Sequence, residues 1–370
     1  MVPILKRKSD QPFLDSILHE RKNKTARLDD LKKKDKINVI DIPSIVEAEP
    51  AIVVFEDGTE AHPWLVSDSW KLQKVGSGID GWNRDHYYKQ VANIDWAEHE
   101  NEFFVPLCWY PSGGMIDEDV VKFVGNYNGD NYTINNLKIN APGNEVGLFA
   151  EINGTTDIGS GVIQKIHLRN IHFKGQARCG GIAGSVIQLA GTQPPSIICC
   201  SVEGIIDGYC EVGGIAGSVF NSSIRDCFTN ISMTAEYYGV GGIAGSVDTF
   251  RDFLNNYSVG SIVSTSGSVG GCIGQAYAGT YVNCYAACLV AGTTSVGGFS
   301  GSKTISNQTD CFFDSEVAGT TNSANGTPKT TVEMKQQATF TNWDFVNVWN
   351  ITQDTTYPYL RDNTQDPLPI

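Results

Sequence analysis

Five pentapeptides headed by a Gly-Gly pair recur down the middle of the chain. They are Gly180-Gly181-Ile182-Ala183-Gly184, Gly213-Gly214-Ile215-Ala216-Gly217, Gly241-Gly242-Ile243-Ala244-Gly245, Gly270-Gly271-Cys272-Ile273-Gly274 and Gly297-Gly298-Phe299-Ser300-Gly301. A degenerate first copy is Val146-Gly147-Leu148-Phe149-Ala150. From Gly147, the second glycines Gly181, Gly214, Gly242, Gly271 and Gly298 follow at steps of 34, 33, 28, 29 and 27 residues. A period in this range marks a repeat architecture, in which each unit exposes an apolar face that its neighbour must cover. Such arrays favour an extended binding or structural surface over a catalytic centre.

A second column runs between the glycine pairs: Cys200, Cys227, Asn256, Cys284 and Cys311, spaced 27, 29, 28 and 27 residues apart. From each member the chain alternates with period two, and the residues six further on, Ile206, Met233, Ile262, Val290 and Val317, are all apolar. This is a strand signal, so each repeat is expected to carry at least one strand with the Cys/Asn column facing inward. The glycines fit tight corners, where positive φ and close backbone approach are tolerated, and the Ile, Leu or Phe that follows fills the interior. Between 146 and 318 the only prolines are Pro194 and Pro195, in the longest inter-repeat segment, which suits central strands. The expected fold is all-β: a parallel β-helix or β-solenoid of 27–34-residue repeats, with a rod core of roughly 25–30 Å from the strand spacing.

These motifs resemble the GLUG repeat of bacterial and phage surface proteins. The likeness rests on Val240-Gly241-Gly242-Ile243-Ala244-Gly245 and on Asn283-Cys284-Tyr285-Ala286. It extends to both flanks. Tyr88-Lys89-Gln90-Val91-Ala92-Asn93-Ile94-Asp95 is similar to an opening strand, and the run from Phe123-Val124-Gly125-Asn126 to Tyr132-Thr133-Ile134 to the element that follows it. Lys329 to Lys335, Trp343-Asp344-Phe345 and Tyr357-Pro358-Tyr359-Leu360 are similar to the closing segment. The resemblance implies a solenoid with caps, and adhesive or ancillary modules on surface proteins; fold does not fix function. The expected organisation is a basic helical docking or stalk segment over 1–36, a small β collar and linker over 37–84, an amino-terminal cap and first coil over 85–145, the GLUG-like solenoid over 146–318 and a carboxy-terminal cap over 319–370.

The net charge of −14 is unevenly spread: residues 1–36 hold 11 Lys or Arg against 6 Asp or Glu, net +5, which leaves −19 for the remainder. An acidic rod repels nucleic acid. The basic start has no interleaved aromatics, so an acidic partner or solvent is expected there instead. Residues 12–34 carry Phe13, Leu14, Ile17, Leu18, Leu28 and Leu31 on a broken apolar stripe. A docking peptide, a short stalk and a chain that stays disordered until bound all fit that pattern. The first ten residues lack the apolar run of a signal peptide, and no stretch of about 18 apolar residues suggests a membrane span. The expectation is a chain folded in a cytoplasm, with its ten cysteines as thiols, most of them packed as small hydrophobes.

No phosphate loop, nucleophile elbow or metal motif is present, and no cofactor is expected. Asn126, Asn128, Asp130 and Asn131 resemble a calcium loop superficially but supply one carboxylate, with no bidentate Glu following at the required place. Asp207, Glu211, Asp226 and Asp310 are the carboxylates that a polysaccharide-cleaving enzyme would draw on. Asp226 and Asp310 share a turn position with Asn255 and Asn283, which speaks for local hydrogen bonding. His167, Arg169 and His172 alternate irregularly about one strand. The residues after the Cys/Asn column, Phe228, Tyr257, Tyr285 and Phe312, are expected to point outward as an aromatic strip that grips sugar rings, or else simply packs along the rod.

These features lead to the expectation of a non-enzymatic phage virion protein (a fibre, spike or head fibre), trimeric, anchored to other virion proteins by its amino-terminus and attaching to a host glycan or protein. The alternatives are a bacterial cell-surface adhesin module and a polysaccharide depolymerase.

Overall fold

The computed structural model describes residues 56–99, 102–109, 122–156, 161–363 and 365–370. The apolar stripe of Phe13, Leu14, Ile17, Leu18, Leu28 and Leu31 and the strand-like stretches at 37–42 and 51–55 lie outside the described residues.

The described residues wind into a parallel β-solenoid with three faces, of 13, 10 and 5 strands. One coil shows the path. Cys210–Gly213 lies on the five-stranded face, Ala216–Arg225 on the 13-stranded face and Phe228–Ala235 on the ten-stranded face, before Val240–Gly241 starts the next coil on the five-stranded face. Each strand pairs in parallel with its counterpart one coil away. Gly180, Gly213, Gly241, Gly270 and Gly297 form one ladder, and Ser201, Phe228, Tyr257, Tyr285 and Phe312 another. Among the described residues, antiparallel pairing occurs in the hairpin of Trp349–Asn350 with Tyr359–Leu360.

The interior is built from columns. Ile182, Ile215, Ile243, Cys272 and Phe299, each directly after a glycine pair, are fully buried, as are Cys200, Cys227, Asn256, Cys284 and Cys311. The second column is more than apolar filling. The Cys200 backbone N–H donates to Cys227 Sγ at 3.4 Å, Cys227 N–H to Asn256 Oδ1 at 3.0 Å and Asn256 N–H to Cys284 Sγ at 3.3 Å. Thiol and amide are interchangeable here because each presents a short acceptor to the backbone of the neighbouring coil. Burial pushes the thiols of Cys179 and Cys288 up to about 12.

The corners correct the expected role of the glycines. None of the repeat glycines adopts positive φ; the left-handed residues at the turn before the Cys/Asn column are Lys165, Cys199, Asp226, Asn255, Asn283 and Asp310. Asn and Asp tolerate that conformation best among residues with a Cβ, and the Asn255 amide donates to Asp226 Oδ1 across the coils at 2.9 Å. The glycine pairs serve close approach instead. A Cβ on Gly214 would lie 2.2 Å from Gly242 O, and one on Gly242 2.2 Å from Gly271 O.

Two features mark the ends of the coils. Trp64–Val66 pairs in parallel with Tyr87–Gln90 as an end rung of the 13-stranded face, so a solenoid strand lies within the segment expected as collar and linker. Asp57 and Gly58 open a turn in which both N–H groups donate to His62 O. At the other end Val317 does not continue the inward alternation: the strand stops at Asp314, whose carboxylate caps the short helix Ser315–Ala318. The last strand of the ten-stranded face, Thr327–Lys329, contains Pro328, tolerable because this strand is an edge.

Candidate functional site

The aromatic column points away from the solenoid interior, as alternation requires, but it does not meet solvent. Phe228, Tyr257 and Tyr285 are fully buried and Phe312 partly so. Their rings stack in register, with centroids 5.1 Å apart from Phe228 to Tyr257 and 5.0 Å from Tyr257 to Tyr285. The carboxy-terminal segment lies over them. Met334, Phe340, Trp343, Trp349, Tyr357 and Leu360 complete a second apolar core with this column. Tyr257 Oη donates to Gln365 Oε1 at 3.2 Å and Tyr285 Oη to Pro358 O at 2.7 Å. The Asn363 amide reaches back to the carbonyls of Cys200 and Asp226, both at 3.0 Å. The column therefore packs under cover: the described residues after Lys329 form a strap along the ten-stranded face, and the column is its seat.

The remaining charged candidates disperse. Asp226 and Asp310 occupy the left-handed turn column, and Asp310 accepts from the Asn342 amide at 3.0 Å. Asp207 accepts from Thr234 Oγ1 and lies 3.4 Å from His172 Nε2. The irregular alternation of His167, Arg169 and His172 has a cause in the ladder: its register shifts between Val202 and Gly204, so His167–Lys174 carries one extra residue, a bulge. His167 pairs with Ser201 Oγ at 2.8 Å and Arg169 with Glu203 at 3.2 Å, so the three do not form one site. Burial, with Arg169 beside it, pushes the His167 imidazole down to about 4. Among the described residues no group of three or more His, Cys, Asp or Glu is placed to hold a metal.

One of the four carboxylates does line a recess. Glu211 forms part of an open groove of about 500 Å³ with residues from three successive coils. The first coil contributes Glu211, Ser218 and Phe220, the second Tyr238, Ser246 and Asp248, and the third Gln275 and Tyr277. Stacking brings them together: Ser218, Ser246 and Gln275 are successive rungs of one ladder. The Tyr277 N–H donates to Val247 O at 2.8 Å and the Glu211 N–H to Tyr238 O at 2.9 Å. Phe220 and Tyr277 are 41% and 44% exposed, while Gln275 Oε1 accepts from Tyr277 Oη at 3.2 Å. Burial raises the Glu211 carboxyl above its usual range, opposed by Arg178 and by a hydrogen bond from Ser246. Arg178 is itself held 3.0 Å from Glu145. Burial, then the neighbouring Glu211, raises the Tyr238 phenol.

Beside the groove, Tyr209 and Tyr237 stack on the surface at 5.7 Å, and Tyr237 meets Tyr238 edge-on at 4.9 Å. Of this set the sequence reading had singled out Glu211 alone. The separation of Tyr209 and Tyr237 by one repeat length, 28 residues, was the signal that could have found the tyrosines. Phe220, Asp248 and Tyr277 had none.

No family model matches the chain. Over 210 residues, 54% of its length, it is 31% identical to a halomucin of Haloquadratum walsbyi. Over 129 residues, 34% of its length, it is 28% identical to an immunoglobulin A1 protease of Streptococcus pneumoniae. The matches span 2% and 6% of these relatives. A crystal structure from Bacteroides ovatus, provisionally named an immunoglobulin A1 protease, superposes with a TM-score of 0.62 over 83% of this chain and 94% of that one, at 21% identity. That likeness concerns the fold.

Proposed function

We propose that the chain is an attachment module of a larger cell-surface protein: a rigid β-solenoid that presents a side groove to a ligand outside the cell. The observation that carries this reading is the groove itself. Exposed aromatics and carboxylates from three successive coils converge on it, whereas the aromatic column on the ten-stranded face is covered by the strap. A solenoid holds such a surface rigid because each coil is fixed by its neighbours. The sequence relatives are cell-surface or secreted proteins, which supports the adhesin-like alternative over the virion reading. The protease name belongs to relatives of which the chain matches a small part, and no catalytic role is carried over to it.

The test is immunolabelling of intact cells of the source organism with antibodies raised against the full chain. The reading expects label on unbroken cells that external protease strips away. Label that appears after lysis alone, or that copurifies with phage particles, would overturn it.

A further inference from the structure

We infer that the groove between Glu211 and Tyr277 is a binding site for a neutral glycan chain. The inference deepens the attachment reading above and rests on it for its biological setting, though its chemistry can be tested on the isolated protein.

Three features of the groove select the ligand class. The first is charge. Among the described residues Glu211 and Asp248 line it and no Lys or Arg does; the cation felt by Glu211, Arg178, is already paired with Glu145 at 3.0 Å, so a uronate, sialylated or sulfated polymer would meet net like charge. The second is the mix of groups. Phe220 and Tyr277 stand at opposite ends of the three-coil span with broad exposed faces. The ladder of Ser218, Ser246 and Gln275 spans the same three coils, and Asp248 is on the middle one. Flat apolar faces suit the C–H faces of sugar rings, and carboxylate, amide and hydroxyl groups suit ring hydroxyls as acceptors and donors. Two coil steps at the parallel-strand spacing cover about 9–10 Å, enough for several contacts along one extended chain.

The third feature excludes the competing occupant. An extended peptide gains most of its affinity by adding a strand to a free sheet edge or by seating apolar anchors in deep pockets. The strand at the centre of the groove, Ala244–Leu254, is paired on both sides, with Ala216–Arg225 and with Ile273–Ala276, so no edge is free there. The groove is also open, without the enclosed apolar interior that small apolar ligands require.

The experiment titrates the full chain with four tetrasaccharides: cellotetraose, chitotetraose and mannotetraose as neutral probes and tetragalacturonate as the acidic one. Binding is followed by calorimetry and by quenching of the groove tyrosines. At least one neutral probe is expected to bind with a Kd below about 1 mM, and tetragalacturonate not to bind. Tyr277→Ala and Phe220→Ala should each weaken that binding by about three- to tenfold, the scale of one lost ring contact. Ile305→Ser, at an exposed position outside the groove, should leave it unchanged. Thermal unfolding of each variant separates loss of the ring from loss of the fold, and Tyr277→Phe, which keeps the ring, should retain most of the affinity. Binding of the acidic probe in preference, no neutral binding, or neutral binding indifferent to both alanine variants would overturn the proposal. If no neutral probe binds but Tyr277→Ala still abolishes adherence of the chain to cells, the glycan inference falls and the attachment reading stands. If the chain binds a neutral probe through the groove but never reaches the cell surface, the reverse holds.

Discussion

Trp349→Ala tests whether the strap depends on the aromatic column beneath it. Trp349 is fully buried, 4.3 Å from Trp343 and 6.0 and 6.2 Å from Tyr257 and Tyr285 between ring centroids. Truncating a buried Trp to Ala costs about 3–5 kcal/mol. That cost should fall on the strap, because the solenoid coils retain their own ladders and their own interior cluster. With a urea m-value of about 2–3 kcal/mol/M, the transition reporting strap release should move down by about 1–2 M. Limited trypsinolysis reads it directly, since Lys335 and Arg361 lie in the strap and become cleavable when it opens. At intermediate urea the variant should be nicked at these two sites and should bind an apolar dye through the uncovered Phe228–Tyr257–Tyr285 ladder, while far-UV circular dichroism still reports the solenoid strands. A midpoint within about 0.3 M of wild type, or strand signal lost together with the first nick, would refute the reasoning: in the first case Trp349 does not hold the strap, and in the second the strap is not separable from the coils.

Further expectations follow from the interior and the turns. Gly242→Ala, whose Cβ would meet Gly271 O at 2.2 Å and Ser258 Cβ at 2.5 Å, should destabilise by about 1–3 kcal/mol or more in urea melts; Gly181→Ala, whose Cβ would meet the Val202 side chain at 2.5 Å and Gly214 O at 2.6 Å, should destabilise as well, by somewhat less because its backbone clash is less close. Asn256→Cys, which installs the residue of the neighbouring coils, should cost less than about 1 kcal/mol, whereas Asn256→Val strands the Cys227 N–H and the Ile224 carbonyl and should cost about 1–3 kcal/mol in the same assay. His167 has a folded-state value of about 4 against an ordinary 6.5, so the unfolded chain takes up its proton first as pH falls. Its contribution is therefore present in full above pH 6.5 and is lost between 6.5 and 4, by at most about 3 kcal/mol; His167→Gln should flatten that part of the stability–pH profile.

The repeat period and the alternation after the Cys/Asn column were enough to define the coil, its parallel stacking and its interior, down to Cys200, Cys227, Asn256, Cys284 and Cys311. Which side of a strand faces inward is a local property, fixed by a period of two and repeated at every rung. Whether an outward residue meets water is not local. Tyr257 is covered because a segment 108 residues later lays Gln365 against its hydroxyl, and nothing around Tyr257 distinguishes it from a column left open. The same holds for the glycines. Their spacing announced corners, but the neighbouring coil decided that they serve close approach while Asp226, Asn255, Asn283 and Asp310 take the strained turn. The groove was the least legible feature: Phe220, Asp248 and Tyr277 share no motif, and stacking register alone brings them together. The sequence by itself determined what a coil is and what it hides. Tertiary structure decided which outer surfaces stay free, because covering a surface depends on contacts between residues far apart in the chain, and these leave no periodic trace in either partner.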